Sequence, residues 1–464
     1  MAAPRHRRAK GPRPAPKRIT AALRGGARRL GSTASLLSFA RIAGAVAGFA
    51  TQVVLARALQ ASALGLFYSV TSMAALVSLI AAHGYPAIAS RFLSRYREKD
   101  RQALIAAFVA KARRDAMLYV AIATGGVVAF ALLWPGLGTE ARLAIVAAAL
   151  SIPASAAIRI NGALAAAIRR FGLSYLPDTC IRPFLLLAAV ALFFALGVPL
   201  SPASVTFLLA LILTLLAGVQ YLVLAKDMPR RAAAAPLAPS RLVKVWQREA
   251  KPLIVVALFA YFFADVDILL VTPLLSSAET AAIGLCLKLA VLIGFAVQVA
   301  HQVVVPDLAD ARARKDPAAI REALIKALSF PLAITFAATA FVALFGEHLL
   351  AVFGPEFTGA KLPLLILMAC QLARAVFGPS VPLLTVVGAQ KENAALAVAA
   401  LVVLALANVV LAPLYGVLGA AVAVAMATLF WLLASAIVLD RLSGLRTDAV
   451  SLLARLASTS RASA

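Results

Sequence analysis

Residues 394–439 read AALAVAALVVLALANVVLAPLYGVLGAAVAVAMATLFWLLASAIVL, forty-six positions without one Asp, Glu, Lys or Arg. A helix on the surface of a soluble domain needs a polar face, and this stretch has none to offer. A bilayer core of about 30 Å takes roughly 20 apolar residues per helix, so the stretch is about twice the length of one crossing. Pro413-Leu414-Tyr415-Gly416 supplies the break. Proline and glycine interrupt the helix, and the aromatic residue sits where an interface would be. The result is two spans, 394–413 and 417–439.

The same template, moved along the chain, predicts ten more spans. They lie at 34–56, 64–88, 116–135, 143–167, 181–198, 204–225, 252–275, 281–305, 327–346 and 362–387. Composition agrees: the chain is 63% hydrophobic and only 14% charged, with a mean hydropathy of +0.94. A soluble globule carries about 25% charged residues, so lipid must cover much of this surface. The expected fold class is an all-α polytopic membrane protein of about twelve transmembrane helices.

Charge gives an independent reading of orientation. Assigning alternate loops inward from the N-terminus, with Arg182 at the edge of span 181–198 counted with its loop, collects 38 of the 45 Lys and Arg on one side. Only Arg57, Arg142 and Lys361 fall on the other, and four lie within spans. Basic residues favour the cytoplasmic side, so both termini are expected in the cytoplasm. Residues 1–32 hold ten Lys or Arg and no acid, which reads as a disordered basic cytoplasmic tail against anionic lipid headgroups. No aromatic residues interleave those charges, so nucleic acid is not an expected partner.

The expected organisation follows: the tail at 1–32, an N-terminal six-helix bundle at 33–226, a cytoplasmic linker at 227–251, a C-terminal six-helix bundle at 252–440 and a tail at 441–464. The charged stretches 89–115 and 306–326 are expected to be partly helical and to lie along the membrane surface. Each follows the second helix of its half. The layout suggests a repeat, the arrangement by which transporters build a path between two rocking bundles.

Ionisable residues inside spans are costly and mark function or pairing. Six stand out: Arg41, Arg159, Lys288 and Arg374, with Asp265 and Asp267. Ion pairs such as Asp265 with Lys288 or Arg374 are one reading. Four cations against two anions leave a surplus, and guanidinium matches phosphate oxygens in pairs. Gln52, Asn161, Gln298, Gln302, Gln371 and Asn408 offer a polar path beside them, while His83 and His301 read as packed or interfacial. Cys180, Cys286 and Cys370 lack metal-ligand spacing. There is no G-x-x-x-x-G-K-[ST] segment and no H-E-x-x-H motif, so no ATPase site, metal or cofactor is expected, and no enzymatic role.

Gly388-Ala389-Gln390-Lys391, an apolar helix with Asn408, and Pro413-Leu414-Tyr415-Gly416-Val417-Leu418-Gly419-Ala420-Ala421 together resemble a signature of Wzx-type polysaccharide flippases. These belong to the multidrug/oligosaccharidyl-lipid/polysaccharide exporter superfamily. Leu55-Ala56-Arg57-Ala58-Leu59 with Gly65-Leu66-Phe67, and Asp267-Ile268-Leu269-Leu270 with Ile283-Gly284-Leu285, are similar to that family as well. The resemblance implies a MATE-like pair of bundles that flips undecaprenyl-diphosphate-linked oligosaccharide by alternating access, for O-antigen, capsule or exopolysaccharide assembly. It implies as partners the lipid-linked substrate, membrane lipids, and a polysaccharide polymerase with other assembly proteins. Under it, Arg41, Arg159, Arg374 and Lys288 are candidates for the pyrophosphate, and Asp265 and Asp267 for ion coupling or a structural ion pair. The alternative within the superfamily is a cation-coupled multidrug or metabolite antiporter.

Overall fold

A computed structural model describes residues 39–227, 239–314, 316–449 and 451–452. The tail at 1–32, most of the terminal tail and linker positions 228–238 lie outside them. The described chain is helical almost throughout, with no strand among the described residues. In order it forms α1 (Phe39–Ala58), α2 (Ala61–Ala81), α3 (Tyr85–Glu98), α4 (Gln102–Leu133) and α5 (Thr139–Ala167). Then come α6 (Phe171–Leu176), a π-turn (Pro177–Ile181), α7 (Arg182–Ala195) and α8 (Pro202–Asp227). The second half holds α9 (Ser240–Val271), α10 (Ser277–Ala313), α11 (Pro317–Ala351), α12 (Lys361–Phe377) and α13 (Ser380–Val386). The helical run Gln390–Ser443 closes the chain, and Gly416 divides it into arms called α14 and α15.

Ten of these helices are long and apolar enough to cross a membrane, or eleven if α9 counts as one bent span. Its two arms, Ser240–Leu258 and Phe263–Val271, meet at 67°. The protein is a multi-pass membrane protein. The difference from the expected twelve lies in Gln390–Ser443, a 54-residue run that would reach about 80 Å if straight. It is not straight. Gly416 has φ 58° and ψ −135°, outside the helical region and open to glycine. Three residues on, Gly419 lies so close to the Leu411 carbonyl that a Cβ would overlap it.

Other ends are set by ordinary caps. Ser276 and Glu279 form a reciprocal capping box at α10: Ser276 N–H donates to Glu279 Oε2 at 3.0 Å and Glu279 N–H to Ser276 Oγ at 3.3 Å. Asp316 caps α11 by accepting from the amides of Ala318 and Ala319. The charged stretches are largely helical, 89–115 on α3 and the start of α4 and 306–326 on the end of α10 and the start of α11, and α9 begins at Ser240 within the expected linker range 227–251.

The two ends of the molecule are built differently. One end carries the α1–α2, α4–α5, α7–α8, α9–α10 and α11–α12 connections and the Gly416 break; we call it the turn end. Toward it, both halves share one apolar core that includes Leu55, Leu64, Phe67 and Val190 with Ile283, Leu350, Phe353 and Leu364. At the opposite, basic end there are two cores. One is built on Tyr85, Ile88, Phe108 and Leu164 in the first half, the other on Leu308, Leu324, Leu384 and Leu439 in the second. The first turns of α9 cross over to the first half: Trp246 is fully buried there and donates to the Tyr96 hydroxyl at 2.9 Å.

Candidate functional site

A cavity of about 940 Å³ separates the halves, walled by α1, α2, α5, the π-turn with α7, α9 and α10. Its charged wall residues are Arg159, Asp178 and Arg182 from the first half and Asp265 and Lys288 from the second. Ser151, Ser155, Thr71, Gln52 and Tyr175 add polar surface. The lining continues to Gly84, Ser90, Leu253 and Ile254 near the basic end.

Each charge is held by a local cause. Pro177 opens the π-turn and Pro183 follows it, so two backbone N–H donors are missing where the helix widens. The wider turn carries Asp178 and Arg182, paired at 3.1 Å. The turn is pressed against α1, where Gly44 leaves room for the Thr179 carbonyl that any Cβ would strike. Across the cavity, Asp265 Oδ1 accepts from Ser72 Oγ at 2.8 Å. Lys288 Nζ stands 4.8 Å from the centre of the Tyr68 ring, and the Tyr68 hydroxyl donates to Gln52 Oε1 at 2.7 Å. Neither Asp265–Lys288 nor Asp265–Arg374 is an ion pair among the described residues. Arg159, Arg182 and Lys288 stand against Asp178 and Asp265 among the described wall residues. The wall carries a net positive charge.

The remaining sequence candidates go elsewhere. Asp267 is fully buried and accepts from Asn408 Nδ2 at 2.7 Å, inside the second half and off the cavity wall. Its Oδ2 and the Asn408 Oδ1 are buried without a hydrogen-bond partner. Arg374 lines a separate cavity of about 140 Å³ enclosed by α9, α10, α12 and α15, with Gln298 and Gln371. Arg41 lines neither cavity; its guanidinium lies 4.6 Å over the Tyr175 ring, itself a wall residue. Asn161 is buried away from both cavities, and His83 stacks on Tyr119 at 4.6 Å between ring centres. Arg182 and Asp178 were not among the sequence candidates. Their i, i+4 spacing between two prolines was the available signal, but at the edge of a span it reads as loop charge.

No family model matches the sequence, and no curated protein matches it. Solved structures do. The lipid II flippase MurJ in an inward closed conformation superposes with a TM-score of 0.65 at 14% identity, over 87% of this chain and 87% of that one. An inward-facing multidrug resistance MATE transporter of the MOP superfamily gives 0.62 at 14% identity, over 86% and 95%. The fold is MATE-like. An outward-facing MATE transporter of that superfamily gives 0.51 at 14% identity, over 87% and 96%. At such identity the likeness is one of fold.

Proposed function

We propose that the protein is an alternating-access flippase for undecaprenyl-diphosphate-linked oligosaccharide in the bacterial inner membrane, serving surface polysaccharide assembly upstream of a polymerase. The observation that carries this reading is the net positive charge on the wall of a cavity between two halves. A diphosphate is the anionic part of such a substrate, and Arg159, Arg182 and Lys288 would hold it while the lipid tail stays in the bilayer. Releasing the substrate means weakening these contacts as the halves move. Asp178 beside Arg182 supports that by offering the guanidinium another partner. The basic end, where the halves part, faces the cytoplasm in this reading, in line with the loop charges. Asp267 with Asn408, buried in the second half and keeping two acceptor oxygens without partners, is the candidate for coupling to an ion. A cationic drug as cargo is less well served by a wall with more bases than acids.

The test is complementation of a flippase-deficient strain, with uptake of labelled undecaprenyl-diphosphate sugar into proteoliposomes beside it. Arg159→Gln and Lys288→Gln should each lower transport about 10- to 100-fold, the weight of one charge-assisted contact. Full surface polysaccharide from both variants would overturn the assignment.

A further inference from the structure

The smaller cavity lies inside the second half and takes no part in the transport reading. Arg374 is the only charged residue among its described lining, and no Asp or Glu stands with it. Gln298, Gln371, Thr428 and the Trp431 indole supply further donor groups beside Arg374, and Phe263, Phe295, Leu287 and Leu367 much of its apolar wall. Arg374, Gln298, Gln371 and Thr428 make no hydrogen bond or ion pair with a described residue. Gln371 is 9% exposed, and its Oε1 is buried without a partner. The amide occupies space that exists because position 294 is glycine: a Cβ there would collide with it.

A guanidinium and further donor side chains line a partly open pocket that has no carboxylate among its described lining. A cation so placed is best satisfied by an anion. Size narrows the class. At about 140 Å³, against about 940 Å³ for the main cavity, it suits a small inorganic anion better than a sugar or a diphosphate lipid. Ala264 and Val291 line both cavities, so the site adjoins the main cavity. We propose that this cavity binds a small inorganic anion, of chloride or nitrate size, as the counter-charge of Arg374. The second half then carries its buried cation in neutral form whichever way the main cavity faces.

Thermal unfolding of the purified full chain in chloride, bromide, nitrate or gluconate at constant ionic strength tests this. Chloride, bromide and nitrate should each raise the midpoint saturably, and gluconate, too large to enter, should not. Arg374→Gln should abolish the difference and Arg159→Gln should preserve it. Gln371→Leu should weaken the apparent affinity about 10-fold. Should Arg374→Gln not fold, bromide-soaked crystals of the wild-type chain decide, with an anomalous peak expected beside Arg374. Equal midpoints in chloride and gluconate, a halide effect that follows Arg159 instead, or an empty cavity in the bromide map would each overturn the site. None of those results bears on flipping, which rests on the other cavity.

Discussion

The turn end and the basic end of this molecule solve opposite problems with the same kind of helix. At the turn end the halves are joined by backbone-level contact. Gly65 in α2 lies against the Ser277 carbonyl of α10, so close that a side chain would overlap it. Ser69 and Thr272 share a hydrogen bond of 2.8 Å, and Phe49 meets Phe353 edge to face at 5.4 Å. Arg57, at the end of α1, donates to the carbonyls of Ala351 and Val352 at 2.8 Å each, capping the end of α11. At the basic end no such seam runs between the two apolar cores among the described residues, and the first turns of α9 reach across to the first half. Small residues at one end and an opened, charged interior at the other make a clamp closed on one side only. In the proposed alternating-access cycle, reversing the clamp would require this glycine-mediated seam to part.

The largest effect should come from the crossing element. Trp246 is fully buried, 5.0 Å from the Phe108 ring, and removing it leaves a cavity that the rigid first-half core cannot refill. Trp246→Ala should cost about 3–5 kcal/mol. It should also speed hydrogen exchange over 240–251, as the arm leaves the first half. Unchanged exchange there would mean that α9 is not held by this anchor. Gly65→Ala comes next. It over-packs the seam at a cost of about 1–3 kcal/mol, because the obstacle is backbone and cannot swing aside. Spin labels at positions 61 and 356 should then move apart, and an unchanged distance would show that the seam is not what holds the turn end shut.

Much of this architecture was legible in the sequence because lipid leaves few alternatives. Once Pro413-Leu414-Tyr415-Gly416 is read as a break, the long apolar run divides where the backbone at Gly416 leaves the helix. The site was only partly legible. Charge inside a span can be recognised from sequence, but the cavity it faces depends on rotation about each helix axis. Asp265 and Asp267 show this well: two residues apart, they point to different sides of α9. Asp265 lies on the cavity wall and accepts from Ser72, whereas Asp267 reaches Asn408 inside the second half. Arg374 was indistinguishable in sequence from Arg159, yet α12 turns it into the second half's own interior. Arg182 was hidden by the opposite problem, since the π-turn that brings it to the wall leaves little trace beyond its prolines.

A smaller effect is expected at Arg57. Its two bonds are charge-assisted but open to solvent, so Arg57→Ala should shift the seam by about 1 kcal/mol. The same label pair should report a modest rise in the separated population, with little change in melting temperature. A loss of stability as large as that of Gly65→Ala would instead make Arg57 part of the fold.

The smallest effect sharpens the comparison most, because it asks whether charge holds anything at the basic end. Arg91 on α3 pairs with Glu249 on α9, directly beside the Trp246 anchor, and both side chains are substantially exposed, at 53% and 39%. Solvent screens such a pair, and holding two long side chains in one geometry costs entropy. Arg91→Gln should therefore change stability by no more than about 0.5 kcal/mol. Exchange over 240–251 should stay as slow as in the wild type, since the buried indole and its bond to Tyr96 remain. If instead the arm came loose, its attachment would be electrostatic, and raising the salt concentration should release it in the wild-type chain as well. Slow exchange in both conditions would place the hold on α9 in its buried indole.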